Sequence, residues 1–152
     1  MATDSDPAVA VVGAYNQGLA MTVPEIPVPG ETVTGADYTE GPGGKGSNQA
    51  VAAARLGASV SFVGRVGDDR FGEQARALWR REGVRAVVET VPEPTGVGFV
   101  IVDEAGENAI TVAPGANATL DGRPVGEGRD HLVIGAGQPA DDGSDPGGVG
   151  QV

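Results

Sequence analysis

Residues 41–48 read Gly-Pro-Gly-Gly-Lys-Gly-Ser-Asn. This segment limits what the chain can become more than any other. A stretch with so little side chain cannot build a core. It can let the backbone approach a ligand or another strand closely, because no Cβ intervenes. The residues that follow, Gln-Ala-Val-Ala-Ala-Ala-Arg-Leu-Gly, predict a small-residue helix over 47–56. Ser47 is placed to cap it and Gly57 to end it. Backbone N–H groups at the start of that helix are donors without internal partners. Lys45 is the chain's only lysine, against nine arginines; it offers a compact charge on a flexible stem. Asn48 offers both a donor and an acceptor, which suits a hydroxyl group. The plain alternative is a tight turn with Lys45 exposed to water.

The rest of the chain reads as alternating elements. Residues 8–14, Ala-Val-Ala-Val-Val-Gly-Ala, predict a strand buried on both faces of a parallel sheet. Residues 31–40 are β-prone but polar and predict an exposed or edge strand. Residues 59–64 predict a second core strand. Asp68 or Asp69 then caps a helix over 70–82, with Phe71, Ala75, Leu78 and Trp79 on one face and Gly83 as its stop. Arg76, Arg80 and Arg81 are expected on its solvated side. Residues 84–90 predict a third core strand, and 96–102 with 108–113 a β-hairpin turning at 103–107. This order implies an α/β sheet with some strands set aside as a flap. Aromatic residues stop at Phe99, so the core lies mostly upstream of residue 120, and one domain is expected over 1–120. Residues 121–152 are rich in Gly and Asp; apart from strand potential at 131–134 they are expected to stay disordered.

Several function classes are excluded. The net charge of −11 repels nucleic-acid phosphates and anionic lipid. With no Cys and His131 as the single histidine, thiolate and multi-histidine metal sites are ruled out, and no metal ligand set is expected. No signal peptide or membrane-length apolar run is visible, and a cytoplasmic location is expected. The glycine-rich loop is not a P-loop, because position 39 is Thr and Gly46 follows the lysine. Gly41, Gly43 and Gly46 do match a Rossmann-type Gly-x-Gly-x-x-Gly. The preceding strand is polar rather than buried, which argues against a nicotinamide dinucleotide site.

Gly-Gly-Lys-Gly-Ser-Asn-Gln-Ala-Val-Ala-Ala-Ala-Arg-Leu-Gly at 43–57 closely resembles a diagnostic motif of the ribokinase, or phosphofructokinase-B, family of carbohydrate kinases. Further matches follow in the family's order. They are Val-Val-Gly-Ala-Tyr-Asn at 11–16, Pro-Val-Pro-Gly-Glu-Thr-Val at 27–33 and Val-Gly-Asp-Asp-Arg-Phe-Gly at 66–72. Thr-Gly-Val-Gly-Phe at 95–99, Gly-Glu-Asn at 106–108 and Pro-Gly-Ala-Asn-Ala at 114–118 complete the series. The resemblance covers about residues 8–120 and implies the N-terminal part of a ribokinase-like three-layer sandwich with a small β-flap, or lid. It implies transfer of the ATP γ-phosphoryl to a sugar hydroxyl with Mg²⁺. It implies sugar contacts at Asn16, Gly44, Lys45 and Asn48, and an apolar contact at Val112 on the flap. Val112 reads equally as an ordinary hairpin residue. It also implies pairing of flap strands between subunits, hence a homodimer.

Two departures bear on that reading. The family usually places an Asp two residues after the position of Asn16, where this chain has Gly18. Ribose specificity is therefore not carried across with the resemblance. The family's catalytic base is the Asp of a later Gly-Ala-Gly-Asp motif. The Gly-Ala-Gly at 135–137 runs instead into Gln138, which cannot act as a base, so no catalytic residue is assigned. The chain is expected to be a truncated half, inactive alone. The alternatives are a non-catalytic sugar-binding or dimerising module and, less favoured, a nicotinamide-binding enzyme.

Overall fold

The structure is a computed structural model that describes residues 8–121 and, by backbone alone, the strand at 132–136. Among the described residues, two four-stranded sheets, two α-helices and one short 3-10 helix make up the fold. In the first sheet β1 (Ala8–Gly13) pairs in parallel with β4 (Ser59–Gly67) and with β8 (Leu132–Ala136), and β4 pairs with β5 (Arg85–Val91), in the order β5-β4-β1-β8. Helices α1 (Lys45–Arg55) and α2 (Arg70–Arg81) connect β1 to β4 and β4 to β5. Both crossovers step in the same direction, and right-handed connections then put both helices on one face. The described residues thus supply the sheet and one helical layer of an α/β fold. Among them, no helix is long and apolar enough to cross a membrane.

The second sheet has the order β3-β2-β6-β7. It is built from β2 (Asn16–Val23), β3 (Tyr38–Gly43) and the hairpin of β6 (Val97–Asp103) with β7 (Asn108–Ala113). Only Ala14 and Tyr15 separate β1 from β2, so the chain passes directly from the body into this flap. The expected hairpin is present. Two expectations are corrected. Residues 16–23 form a strand where none was predicted, because Asn-Gln-Gly at its start has little β propensity; pairing with β3 on one side and β6 on the other supplies what the residues lack. The polar strand predicted over 31–40 starts only at Tyr38, since 31–37 include a bend and Ala36 rather than a ladder residue bonds to Thr22.

The core lies between β1, β4 and the two helices. Val11, Val60, Phe62 and Val66 face Ala50, Ala75, Leu78 and Trp79. Trp79 is fully buried, stacks on Phe62 with ring centroids 4.6 Å apart and meets the edge of Tyr15 at 5.6 Å. Its indole N–H donates to Ser47 Oγ at 3.0 Å. Ser47 is therefore no helix cap: α1 begins two residues earlier, after Gly44, and the serine points inward to satisfy the indole. Phe71 is only half-buried, with the Arg70 guanidinium over its ring. Arg76 is not purely solvated, because it donates to Val88 O and Thr90 Oγ1 on β5. The predicted core strand β5 lies at the edge of the described sheet, with four exposed residues.

Asp69 caps α2 as expected, accepting from the Gly72 amide at 2.8 Å. The helices end before Gly57 and Gly83. Apart from Asp121 and β8, the predicted disordered tail, with His131, lies outside the described residues.

Two outcomes follow from this packing. Replacing Ser47 by Ala leaves a buried indole N–H without an acceptor; urea unfolding should show a loss of about 1–3 kcal/mol. Burial alone would raise the Asp69 carboxyl, but hydrogen bonds from the Thr95 and Gly72 amides and the Thr95 hydroxyl bring it below its ordinary 3.8. A folded-state value below the unfolded one means stability that is present above the ordinary value and lost as pH falls through the folded one. Asp69→Asn should therefore show a shallower fall of melting temperature than wild type on acidification below about pH 4.

Candidate functional site

The glycine-rich loop lies against the turn from β1 to β2. Gly44 has φ 92° and ψ 122°, and a Cβ there would sit 2.5 Å from Ala14 O and 2.8 Å from Tyr15 Cα. A Cβ on Gly46 would lie 2.9 Å from Gly13 Cα. The loop is thus pressed backbone to backbone on residues 13–16, which any larger residue would prevent. Gly43 pairs with Asn16 at the start of the β2–β3 ladder. Lys45 opens α1, and the Asn48 amide donates to Gly44 O at 2.9 Å.

Four of the five predicted contacts, Asn16, Gly44, Lys45 and Asn48, therefore share one corner. There the end of β1, the start of β2 and the N-terminus of α1 meet. Lys45 and Asn48 are exposed, and among the described residues neither side chain has a hydrogen bond or ion pair. Both remain available to a ligand.

Asn16 is held differently. The short 3-10 helix at Gly115–Thr119 carries Asn117. Asn117 Oδ1 accepts from the Tyr15 amide at 3.2 Å, which fixes which end of its amide is which. Its Nδ2 then donates among Tyr15 O, Asn16 Oδ1 and Pro114 O, at 2.9, 2.9 and 3.0 Å. With its oxygen used inward, Asn16 keeps its Nδ2, a donor, for a ligand. The sequence alone assigns Asn117 no site role. The signal that could have found it is the Pro-Gly-Ala-Asn-Ala match at 114–118.

Val112 stands apart from that corner. It pairs with Gly98, which pairs with Gly18, which pairs with Gly41. Paired residues share a face of a sheet, and so do residues two apart. Val112 is therefore on the same face as Asn16, about 10 Å across the sheet from Gly18 by two strand spacings. It is half-buried, between exposed Thr111 and Ala113. The three glycines in its row leave a strip with no side chain. A Cβ at Gly18 would lie 3.2 Å from Gly41 O, whereas over Gly41 and Gly98 the space is open.

On the opposite face the Tyr15 hydroxyl donates to buried Gln17 Oε1 at 2.9 Å. Burial pushes this phenol up to about 12, so it stays protonated at neutral pH. No group of three or more His, Asp or Glu that could hold a metal occurs among the described residues.

Residues 6–137 match the family described as pfkB family carbohydrate kinase. The chain belongs to this family. Family membership agrees with the motif order and with the body-plus-flap architecture. The chain is 43% identical over 114 residues to the ribokinase of Haemophilus influenzae, covering 74% of this chain and 37% of that protein. It is 43% identical over 111 residues to the ribokinase of Bacillus subtilis, covering 72% and 38%. The match thus spans under two-fifths of these relatives. Among solved structures, the fold is similar to ribokinase of Cryptococcus neoformans in complex with ADP. That comparison gives a TM-score of 0.75 and 32% identity, over 86% of this chain and 42% of that one. Ribokinase of Arabidopsis thaliana complexed with ribose and ATP gives 0.63 and 34%, over 74% and 38%.

Asn117→Asp keeps the shape but turns a donor into an oxygen that faces three acceptors. Denaturant melts should show a loss of about 2–4 kcal/mol, against near-neutral behaviour for a substitution at exposed Gln49.

Proposed function

We propose that this chain supplies the sugar-reading part of an ATP-dependent carbohydrate kinase of the pfkB family. The observation that carries the reading is the shared corner. An ammonium at Lys45 and a carboxamide at Asn48, both unpaired among the described residues, and an outward amide donor at Asn16 stand where the flap joins the body. Lys45 and Asn16 donate to hydroxyl oxygens, Asn48 donates or accepts, and Gly44 lets the sugar lie close to backbone. Val112 gives an apolar contact from the flap. A closed flap excludes water that would compete for the phosphoryl group.

ATP as donor is supported by the ADP- and ATP-bound relatives. The base that takes the proton from the acceptor hydroxyl is not among these 152 residues, which contain no Gly-Ala-Gly-Asp. On this reading the chain alone would bind sugar without phosphorylating it. Gly18 removes the carboxylate expected beside Asn16, so the pocket is richer in donors than acceptors and is open to sugars other than ribose. Pairing of two copies through the flap is supported by exposed Met21, Tyr38 and Phe99. Strand alternation puts these three on the face away from Asn16.

Calorimetric titration of the chain with a panel of pentoses and hexoses tests the reading. At least one sugar should bind, and Lys45→Met should weaken that sugar by about 10-fold or more through loss of a charged hydrogen bond. Unchanged affinity in the Lys45→Met chain, or no heat from any sugar, would reject the assignment. An ADP-release assay with ATP should show no turnover.

A further inference from the structure

Asp69 does more than a helix cap requires. A cap needs one side-chain oxygen for one amide of the first turn. Here Oδ1 accepts from both Gly72 N at 2.8 Å and Thr95 Oγ1 at 2.7 Å, and Oδ2 accepts from Thr95 N at 2.8 Å. Thr95 Oγ1 in turn accepts from Gly67 N, at the end of β4, at 2.9 Å. Thr95 is 3% exposed while Asp69 is half-buried, so the Thr95 ends of these bonds are shielded from water, and charge-assisted bonds of this kind are stronger than neutral ones. Two of the three bonds to the carboxylate thus leave the helix and go to the segment that enters the flap.

That segment is where the flap's connections gather. Pro94 O accepts from Ala116 N at 2.7 Å, just beyond the exit of β7, and Gly96 O accepts from Gln17 N at 2.8 Å, at the start of β2. A Cβ on Gly96 would strike both Asn16 Oδ1 and Asn117 Nδ2. Residues 94–96 therefore touch the β5-to-β6 entry, the β7 exit and the β1-to-β2 crossing at once. The Asn16–Asn117 pair lies immediately beside them.

We propose that Asp69 is a positioning residue for the flap, its carboxylate fastening Thr95 and hence the pivot at residues 94–96 to the body of the fold. The pin sets the angle at which the flap leaves the body and the place where Asn16 stands. Its consequence for sugar binding rests on the functional reading above; the mechanical linkage does not.

Hydrogen exchange followed by mass spectrometry on the 152-residue chain tests it, with sugar affinity measured in parallel. Asp69→Asn keeps an oxygen for the Gly72 amide, so the cap survives, but it sets an NH2 against the Thr95 amide. Thr95→Val removes the hydroxyl without changing shape, and Thr95→Ser restores it. Asp69→Asn and Thr95→Val should each speed exchange by about 10-fold or more in residues 16–23, 38–43, 97–103 and 108–113. Residues 8–13 and 59–66 should exchange as in wild type, Gly67 should quicken in Thr95→Val because its amide loses the hydroxyl acceptor, and Thr95→Ser should behave like wild type throughout. Faster exchange confined to the first turn of α2, spread equally over both sheets, or absent would overturn the proposal. A flap that loosens while sugar affinity stays unchanged would uphold the pin and count against the sugar-reading corner instead.

Discussion

Everything in this molecule is arranged around one close backbone contact, the seating of Gly43–Gly46 on Gly13–Asn16. Close approach without Cβ atoms lets β3 end, α1 begin and β1 give way to β2 within a few ångströms. A single added methyl at Gly44 would meet a carbonyl oxygen and the neighbouring Cα, in a left-handed conformation that other residues rarely adopt. The same contact brings Asn16 and Lys45 to one corner. Local packing and the candidate chemistry are therefore one constraint.

From that corner outward the fold divides into two kinds of material. The body is held by apolar contacts, with Trp79 joining sheet, both helices and the Tyr15 crossing through two ring contacts and one hydrogen bond. The flap is different. Several of its apolar residues, Met21, Tyr38, Phe99 and Ile110, are exposed, and its junction with the body is held largely by polar groups. Asn117 grips both sides of the Tyr15 peptide, and Asp69 grips Thr95. Directional bonds at a few points fix an angle while leaving little buried apolar surface to resist opening. That combination is suited to a cover over a small polar ligand.

Gly18 departs from the pattern usual in the family without disturbing the fold. The fold and motif order place the chain among the pfkB carbohydrate kinases. The glycine lies in a row with Gly41 and Gly98, so the sheet presents a bare strip beside Asn16. Membership in the family is carried largely by backbone-determining residues.

The sequence by itself determined the α/β class, the body helices, the hairpin and the loop with its lysine. Each of these rests on local chemistry: apolar runs, a capping Asp, stop glycines and a lone cation among glycines. It missed β2, because Asn-Gln-Gly-Leu-Ala-Met-Thr-Val is a strand only by virtue of its neighbours on both sides. It assigned Ser47 to a cap, because nothing local announces an indole N–H that arrives from 32 positions away. Asn117 and the second role of Asp69 were hidden for the same reason, their partners lying 101–102 and 26 positions distant. Which residues stand at the candidate corner was legible in motif and residue type. How they are held was decided only in three dimensions, where long-range hydrogen bonds choose among several local options that the sequence leaves equal.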